Sequence, residues 1–387
     1  MTAGWSEARR VLCVRLDALG DILMTTPAIR ALKESATGRR VTLLTSPSGA
    51  AIASLVPEID DAMVYEAPWM KATPPRQDSR HEQAIIERLR ESRFDAAAIF
   101  TVYSQNPLPA ALLCHLAGIP RRLAHCRENP YQLLTDWVPE TEPAAIVRHE
   151  VQRQLDLVGA VGCRTSNPGM SLRVDPAASQ RVSRMLSRAG VAAGSRFVVV
   201  HPGASAPSRR YPARGFAAAA RSLALDLDCR VVLTGSEGEV PLVEEIRGAM
   251  GAPSLSLAGR LLLPELVALI DLAPLLVSNN TGPAHIAAAV GTPVVDLYAL
   301  TNPQHTPWRV RSRVLFHDVP CRYCYKSTCP AGHHECLTRV PPSAIVEAAR
   351  ELLESDAQAE PAAMPPMLAS RPPPALLPMD SLRGGHA

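Results

Sequence analysis

Three stretches place residues able to do chemistry at the ends of predicted strands. The first runs Arg15-Leu16-Asp17-Ala18-Leu19-Gly20-Asp21-Ile22-Leu23-Met24-Thr25-Thr26-Pro27, a strand entering an amphipathic helix through a glycine-containing turn. Gly20 permits a tight turn or close approach of a ligand. Asp21 has two readings: an N-cap accepting a bond from its own helix backbone, or a carboxylate general base facing a cleft. Asp17 is the poorer base, because strand alternation and the turn leave its direction open.

The second stretch is Val200-His201-Pro202-Gly203-Ala204-Ser205-Ala206-Pro207-Ser208-Arg209-Arg210-Tyr211-Pro212. Gly203, Ala204 and Ser205 are small enough to let a phosphate reach backbone N–H groups, and Arg209 or Arg210 offers a bidentate fork. A solvated loop with two surface arginines is the alternative, and His201 reads as a packed strand-end residue. The third stretch, Ser278 to Pro293, carries Asn279-Asn280-Thr281-Gly282-Pro283-Ala284-His285 ahead of an alanine-rich helix. Asn280 or Thr281 suits the cap and Pro283 the first turn, so the helix start is an anion site. An ordinary capped helix fits equally. Glu237, preferred to Glu239, stands at a further strand end where a carboxylate accepts bonds from ribose hydroxyls, or else favours the next helix start.

The elements that must position these residues alternate. Strands are predicted at Val11 to Leu16, Val41 to Thr45, Ala62 to Tyr65, Asp95 to Thr101 and, more weakly, Arg121 to His125. A second series follows at Phe197 to His201, Arg230 to Thr234, Leu275 to Ser278 and Pro293 to Leu297, with helical segments between. That rhythm is the mark of parallel α/β sheets. Residues 1–162 read as one α/β domain and 163–195 as a linker with a helix leading out of it. Residues 196–354 read as a second α/β domain, and 355–387, rich in proline, as a disordered tail.

Composition sets limits. The 387 residues are 47% hydrophobic and 20% charged, ordinary for a globular chain. Lys and Arg number 40 against 37 Asp and Glu, too small an excess for a nucleic-acid footprint. The most apolar stretch, Leu261 to Val277, is broken by Glu265 and Asp271, so no membrane span is expected. The first residues lack a signal-peptide core, which sets the expectation of a cytoplasmic protein with mostly free thiols. Asp226-x-Asp228 precedes a strand instead of following one and reads as a surface connection. Gly194 and Ser195 lack the second glycine of a nucleophile elbow.

With its R-L-D-x-L-G-D-x-L-x-T-T-P start, its H-P-G-A-S strand end followed by R-R-Y-P, and its N-x-T-G-P-x-H-x-A-A-A-x-G-T-P block, the chain resembles glycosyltransferase family 9, the group of the lipopolysaccharide heptosyltransferases. The resemblance covers residues 10 to 354. It implies an α/β GT-B fold, two doubly wound Rossmann-like domains facing a central cleft, and inverting transfer that needs no metal cofactor. It also implies that the first domain is the acceptor side and the second holds a nucleotide sugar. By position it assigns Asp21 as catalytic base, with Ser205, Arg209, Thr281, Gly282 and His285 at the sugar donor. Arg209 stands where a lysine is usual, and Asn280 where an aspartate is frequent. Gly20 and Glu237 complete the expected donor-side set.

The implied partners are a nucleotide diphosphate sugar, ADP-heptose, and a lipid-linked saccharide acceptor, with peripheral contact at the inner face of the inner membrane and no nucleic acid. A nucleotide-sugar epimerase on a similar fold and a non-catalytic nucleotide-sugar-binding protein are the competing readings. Near the end of the folded region Cys321, Cys324, Cys329 and Cys336 are spaced closely enough for a structural zinc, with reduced thiols or a disulfide-stapled loop as alternatives.

Overall fold

A computed structural model describes residues 4–71, 73–191 and 194–354. Two parallel six-stranded sheets carry the chain. The first holds β1 (Arg10–Arg15), β2 (Arg40–Thr45), β3 (Asp61–Val64), β4 (Ala96–Ile99), β5 (Arg121–Cys126) and β6 (Asp136–Pro139), in the order β3-β2-β1-β4-β5-β6. The second holds β7 (Phe197–His201), β8 (Arg230–Leu233), β9 (Ser254–Ser256), β10 (Leu276–Asn279), β11 (Val294–Leu297) and β12 (Ser312–Leu315), in the order β12-β11-β10-β7-β8-β9. Both orders are the same winding: the chain moves outward from its first strand, then crosses back to that strand's other side. In each sheet the strand order therefore reverses beside the first strand, between β1 and β4 and between β7 and β10, and crevices for ligands open at such points.

The central strands are buried along nearly their whole length because helices cover both faces. In the first half these are α1 (Leu19–Glu34), α2 (Pro47–Ala53), α3 (Arg80–Glu91), α4 (Leu108–Leu116) and α5 (Glu150–Ala160). Then come α6 (Pro176–Arg188), α7 (Ala213–Leu225), α8 (Val240–Met250), α9 (Leu263–Leu272), α10 (Gly282–Val290), α11 (Glu335–Thr338) and α12 (Pro342–Glu354). Local chemistry sets their ends. Ser46 caps α2 by accepting the Gly49 N–H at 3.1 Å, with Pro47 at the first position. Gly291, at φ 87°, closes α10 in the left-handed conformation that glycine adopts without strain.

One apolar cluster reaches across both halves. It joins Val11 of β1 and Ile22 and Ile29 of α1 to Val182 and Leu186 of α6, Leu276 of β10 and Ile286 of α10. The segment between the halves is held from both sides: Arg30 Nη1 donates to the carbonyls of Asn167 (2.7 Å) and Gly169 (2.6 Å), while Trp308 Nε1 donates to that of Pro168 at 2.8 Å.

Three edge strands, β6, β9 and β12, were not expected from sequence. They are only three or four residues long and half-exposed, so no continuous apolar run announces them. Asp226 and Asp228 sit in the turn from α7 to β8, as read. The tail from residue 355 lies outside the described residues. Among the described residues no helix is long and apolar enough to cross a membrane.

Candidate active site

At the carboxyl end of β1 the fully buried Arg15 guanidinium meets three carboxylates: Nε to Asp17 Oδ2 at 2.9 Å, Nη2 to Asp21 Oδ1 at 3.1 Å and Nη1 to Glu150 Oε1 at 2.8 Å. Burial works against its charge, yet the acids hold its proton affinity above the usual arginine range. The Asp17 carboxyl is raised by burial, opposed by Arg15 and reinforced by Asp21. Gln105 Nε2 donates to Asp17 Oδ1 at 2.6 Å.

Asp21 is not the helix N-cap. That position falls to Ala18, and Asp21, at the third residue of α1, accepts the Ala18 N–H at 3.2 Å through Oδ2. It thus does a capping job while its other oxygen faces Arg15. Asp17, passed over in the sequence reading, points into the same space.

A cavity of about 240 Å³ opens between the halves. Asp17, Asp21, Val102 and Ser104 line it from the first sheet, while Ala206, Arg209, Thr301, Asn302, Gln304 and His305 line it from the second. Tyr325, Lys326 and Ser327 complete the wall. Asp21 and Arg209 thus share one hollow. Arg209 ends a short 3₁₀ turn, Pro207–Arg209, and its guanidinium has no hydrogen bond or ion pair among the described residues. Asn279 secures this loop: its Oδ1 accepts the Tyr211 N–H at 3.0 Å and its Nδ2 donates to the Pro202 carbonyl at 2.7 Å.

The remaining expected residues are placed differently. Ser205 is exposed and lies outside the cavity wall, as does Glu237. It is Glu239 that turns inward, accepting the Ser236 N–H at 2.8 Å and standing where a side chain on Gly203 would be. Asn280 is buried and spends its amide on Asp296 Oδ2 and the His305 carbonyl, each at 2.8 Å, so it faces the interior and not a ligand. Asp296 beside it is fully buried, and burial pushes its carboxyl up to about 7, against Asn280 and Arg209.

Gly20 does not open room for a ligand. A Cβ there would come within 2.6 Å of His285 Cδ2, so the small residue admits a side chain of the other half. Likewise Leu19 Cδ2 would lie 3.3 Å from a Cβ on Gly282. The starts of α1 and α10 therefore abut, and Thr281, at the N-cap position of α10 with its hydroxyl donating to the Asn279 carbonyl, and Gly282 border this contact outside the cavity lining. Burial pushes His285 down to about 3, with His149 and Arg209 adding to the effect.

The sequence reading missed two wall segments. Thr301 to His305 follow β11 and obey the same strand-end rule as the three motifs, so the polar run T-N-P-Q-H was a usable signal. Tyr325 to Ser327 were hidden inside the cysteine-rich stretch. That stretch docks by Ser208 Oγ donating to the Lys326 carbonyl (2.8 Å), by Lys71 Nζ to Ser327 Oγ (3.0 Å), and by a hydroxyl contact between Tyr103 and Tyr325. The zinc expectation is corrected here. Among the described residues no group of three or more His, Cys, Asp or Glu could hold a metal ion. Cys321 Sγ lies 3.6 Å from His333 Nε2, and Cys336 at α11 packs against two apolar clusters. All nine cysteines are free.

Comparison with known proteins bears on this site. The model of glycosyltransferase family 9 (heptosyltransferase) matches residues 83–335. Lipopolysaccharide heptosyltransferase 3 of Escherichia coli is 29% identical over 298 residues, covering 75% of this chain and 83% of its own. Among solved structures, E. coli ADP-heptose lps heptosyltransferase II is 25% identical with a TM-score of 0.69, over 89% of this chain and 98% of that one. A glycosyl transferase family 9 structure from Veillonella parvula DSM 2008 reaches a TM-score of 0.74 at 20% identity, over 90% and 98%. With two facing Rossmann-like sheets of the GT-B kind and a family match spanning well over half its length, the chain is a glycosyltransferase and belongs to family 9.

Proposed function

We propose that this glycosyltransferase moves a heptosyl unit from ADP-heptose to a lipopolysaccharide inner-core acceptor, with inversion at the anomeric carbon and without a metal cofactor. The names of its relatives support the sugar and the acceptor class. The observation that carries the reading is that Asp21 of the first half and Arg209 of the second line one cavity.

An acceptor hydroxyl is a weak nucleophile at neutral pH. Asp21 takes its proton as the oxygen attacks the sugar from the face opposite the diphosphate. Arg209, whose guanidinium makes no hydrogen bond or ion pair among the described residues, and Lys326 supply positive charge where the departing ADP gathers negative charge. Thr281 and Gly282 at the α10 start offer backbone N–H groups to the phosphates once the halves part and Leu19 and Gly20 withdraw. Opening then admits substrates, and closure brings base and cation to the two sides of the sugar. The acceptor's lipid would hold the protein at the cytoplasmic face of the inner membrane.

The test is to incubate the full chain with ADP-heptose and a truncated inner-core acceptor in the presence of a chelator, then weigh the products and assign the new anomeric linkage. One heptose added per acceptor with inverted configuration is expected. No product from ADP-heptose while another nucleotide sugar is consumed would replace the donor assignment, and loss of activity on chelation would overturn the metal-free reading.

A further inference from the structure

The reaction proposed above makes no use of Arg15 and Glu150, although both side chains are fully buried directly behind Asp21. Ionised groups taken out of water cost several kcal/mol each unless they are paired. Here the pairing is specific: one guanidinium holds Asp17, Asp21 and Glu150 on separate nitrogens. Glu150 is itself fixed. Gln154 Nε2 donates to its Oε1 at 2.7 Å, and its backbone N–H donates to the carbonyl of Gln304, a cavity residue of the second half, at 3.0 Å.

The charges on this cluster set up a conflict that Glu150 resolves. A guanidinium beside a single carboxylate stabilises the anion and so weakens it as a proton acceptor. A general base needs orientation without that loss. We propose that Arg15 is a positioning residue that aims the Asp21 carboxylate at the acceptor hydroxyl, and that Glu150, by offsetting the Arg15 charge from behind, preserves the basicity of Asp21. The inference rests on Asp21 being the base. The other charged groups facing Asp21 are Asp17 on the same guanidinium, with Arg209 and Lys326 across the cavity. His305 in the cavity wall and His285 against Gly20 are held neutral by burial, so they add no charge there near neutral pH.

The test is the pH dependence of kcat/KM for the wild type, Glu150→Gln, Arg15→Gln and Asp21→Asn, with ADP affinity measured by calorimetry for each. Removing the Glu150 charge leaves only Asp17 beside Asp21 to oppose Arg15, so the acidic limb should move down by about one pH unit and the plateau should fall. Removing the Arg15 charge should move the limb up, with kcat falling several-fold more than KM changes. ADP affinity should stay within about twofold in both, since neither residue lines the cavity. An unmoved limb in Glu150→Gln, or shifts of the same sign in both variants, would overturn the inference. If Arg15→Gln does not fold, the near-isosteric Glu150→Gln decides by its own limb. Full turnover in Asp21→Asn would instead remove the base assignment, whereas an inactive Asp21→Asn beside an unmoved Glu150→Gln limb sinks only the role given to Arg15 and Glu150.

Discussion

The imidazole of His285 fills the space that any side chain on Gly20 would need, its Cδ2 standing 2.6 Å from where a Cβ would be built. The two residues come from the starts of α1 and α10, one from each half.

Gly20→Ala is therefore expected to destabilise the protein by about 1 to 3 kcal/mol through overpacking. In an isolated helix the same change is favourable by about 1 kcal/mol. In a His285→Ala background the sign should reverse, and urea unfolding of the two single variants and the double variant reads this directly.

Asp21→Asn should lower turnover by about 10² to 10⁴, the usual contribution of a general base, and leave ADP binding intact. Single-turnover kinetics together with calorimetry check both halves of the statement. The capping bond from the Ala18 N–H is weakened and not lost, because an asparagine oxygen still accepts it.

Arg209→Ala removes a cation that makes no side-chain hydrogen bond or ion pair among the described residues and acts on buried Asp296 only through its charge, so the fold should be little affected. Charge-assisted bonds are worth about 1.5 to 3 kcal/mol. The loss in kcat/KM should thus be roughly ten- to a hundred-fold, with weaker ADP binding in titrations. Unchanged affinity and unchanged rate would put Arg209 on the surface as a bystander.

Stability should fall as pH drops from 7 to about 5. Burial depresses His125 and His285 to about 3 and His149 to about 4, and it lowers His201 and His305 as well. Below about 6.5 the unfolded chain takes up protons that these native histidines refuse, at about 1.4 kcal/mol per pH unit for each. Asp296, raised to about 7, and the raised Asp17 and Asp271 act in the opposite sense, since the folded chain holds their protons. Five histidines outweigh three carboxylates in this window. A urea midpoint that is lower at about pH 5 than at pH 7 is the expected result.

Much of this arrangement was legible in the chain. The buried strands are unbroken apolar runs, and the chemistry-bearing motifs sit just past them, so the alternation and the places where ligands gather followed from pattern alone. Asp21 and Arg209 were found because carboxylate and guanidinium at strand ends are conspicuous. What a one-dimensional reading lacked was direction. It could not tell that Asn280 turns inward to Asp296, that Glu239 rather than Glu237 faces the β7 end, or that Gly20 makes room for His285. Nor could it pair Arg15 with Glu150, which meet only when α5 folds back against α1. The short edge strands escaped because they offer no hydrophobic face of their own.

The apolar cluster that runs from β1 through α6 to α10 has a consequence for how the protein comes apart. Severed at the bridge near residue 168, each fragment would expose oily surface now covered by its neighbour, and neither would refold alone. Calorimetry should accordingly record a single endotherm, the two lobes melting together as one cooperative unit.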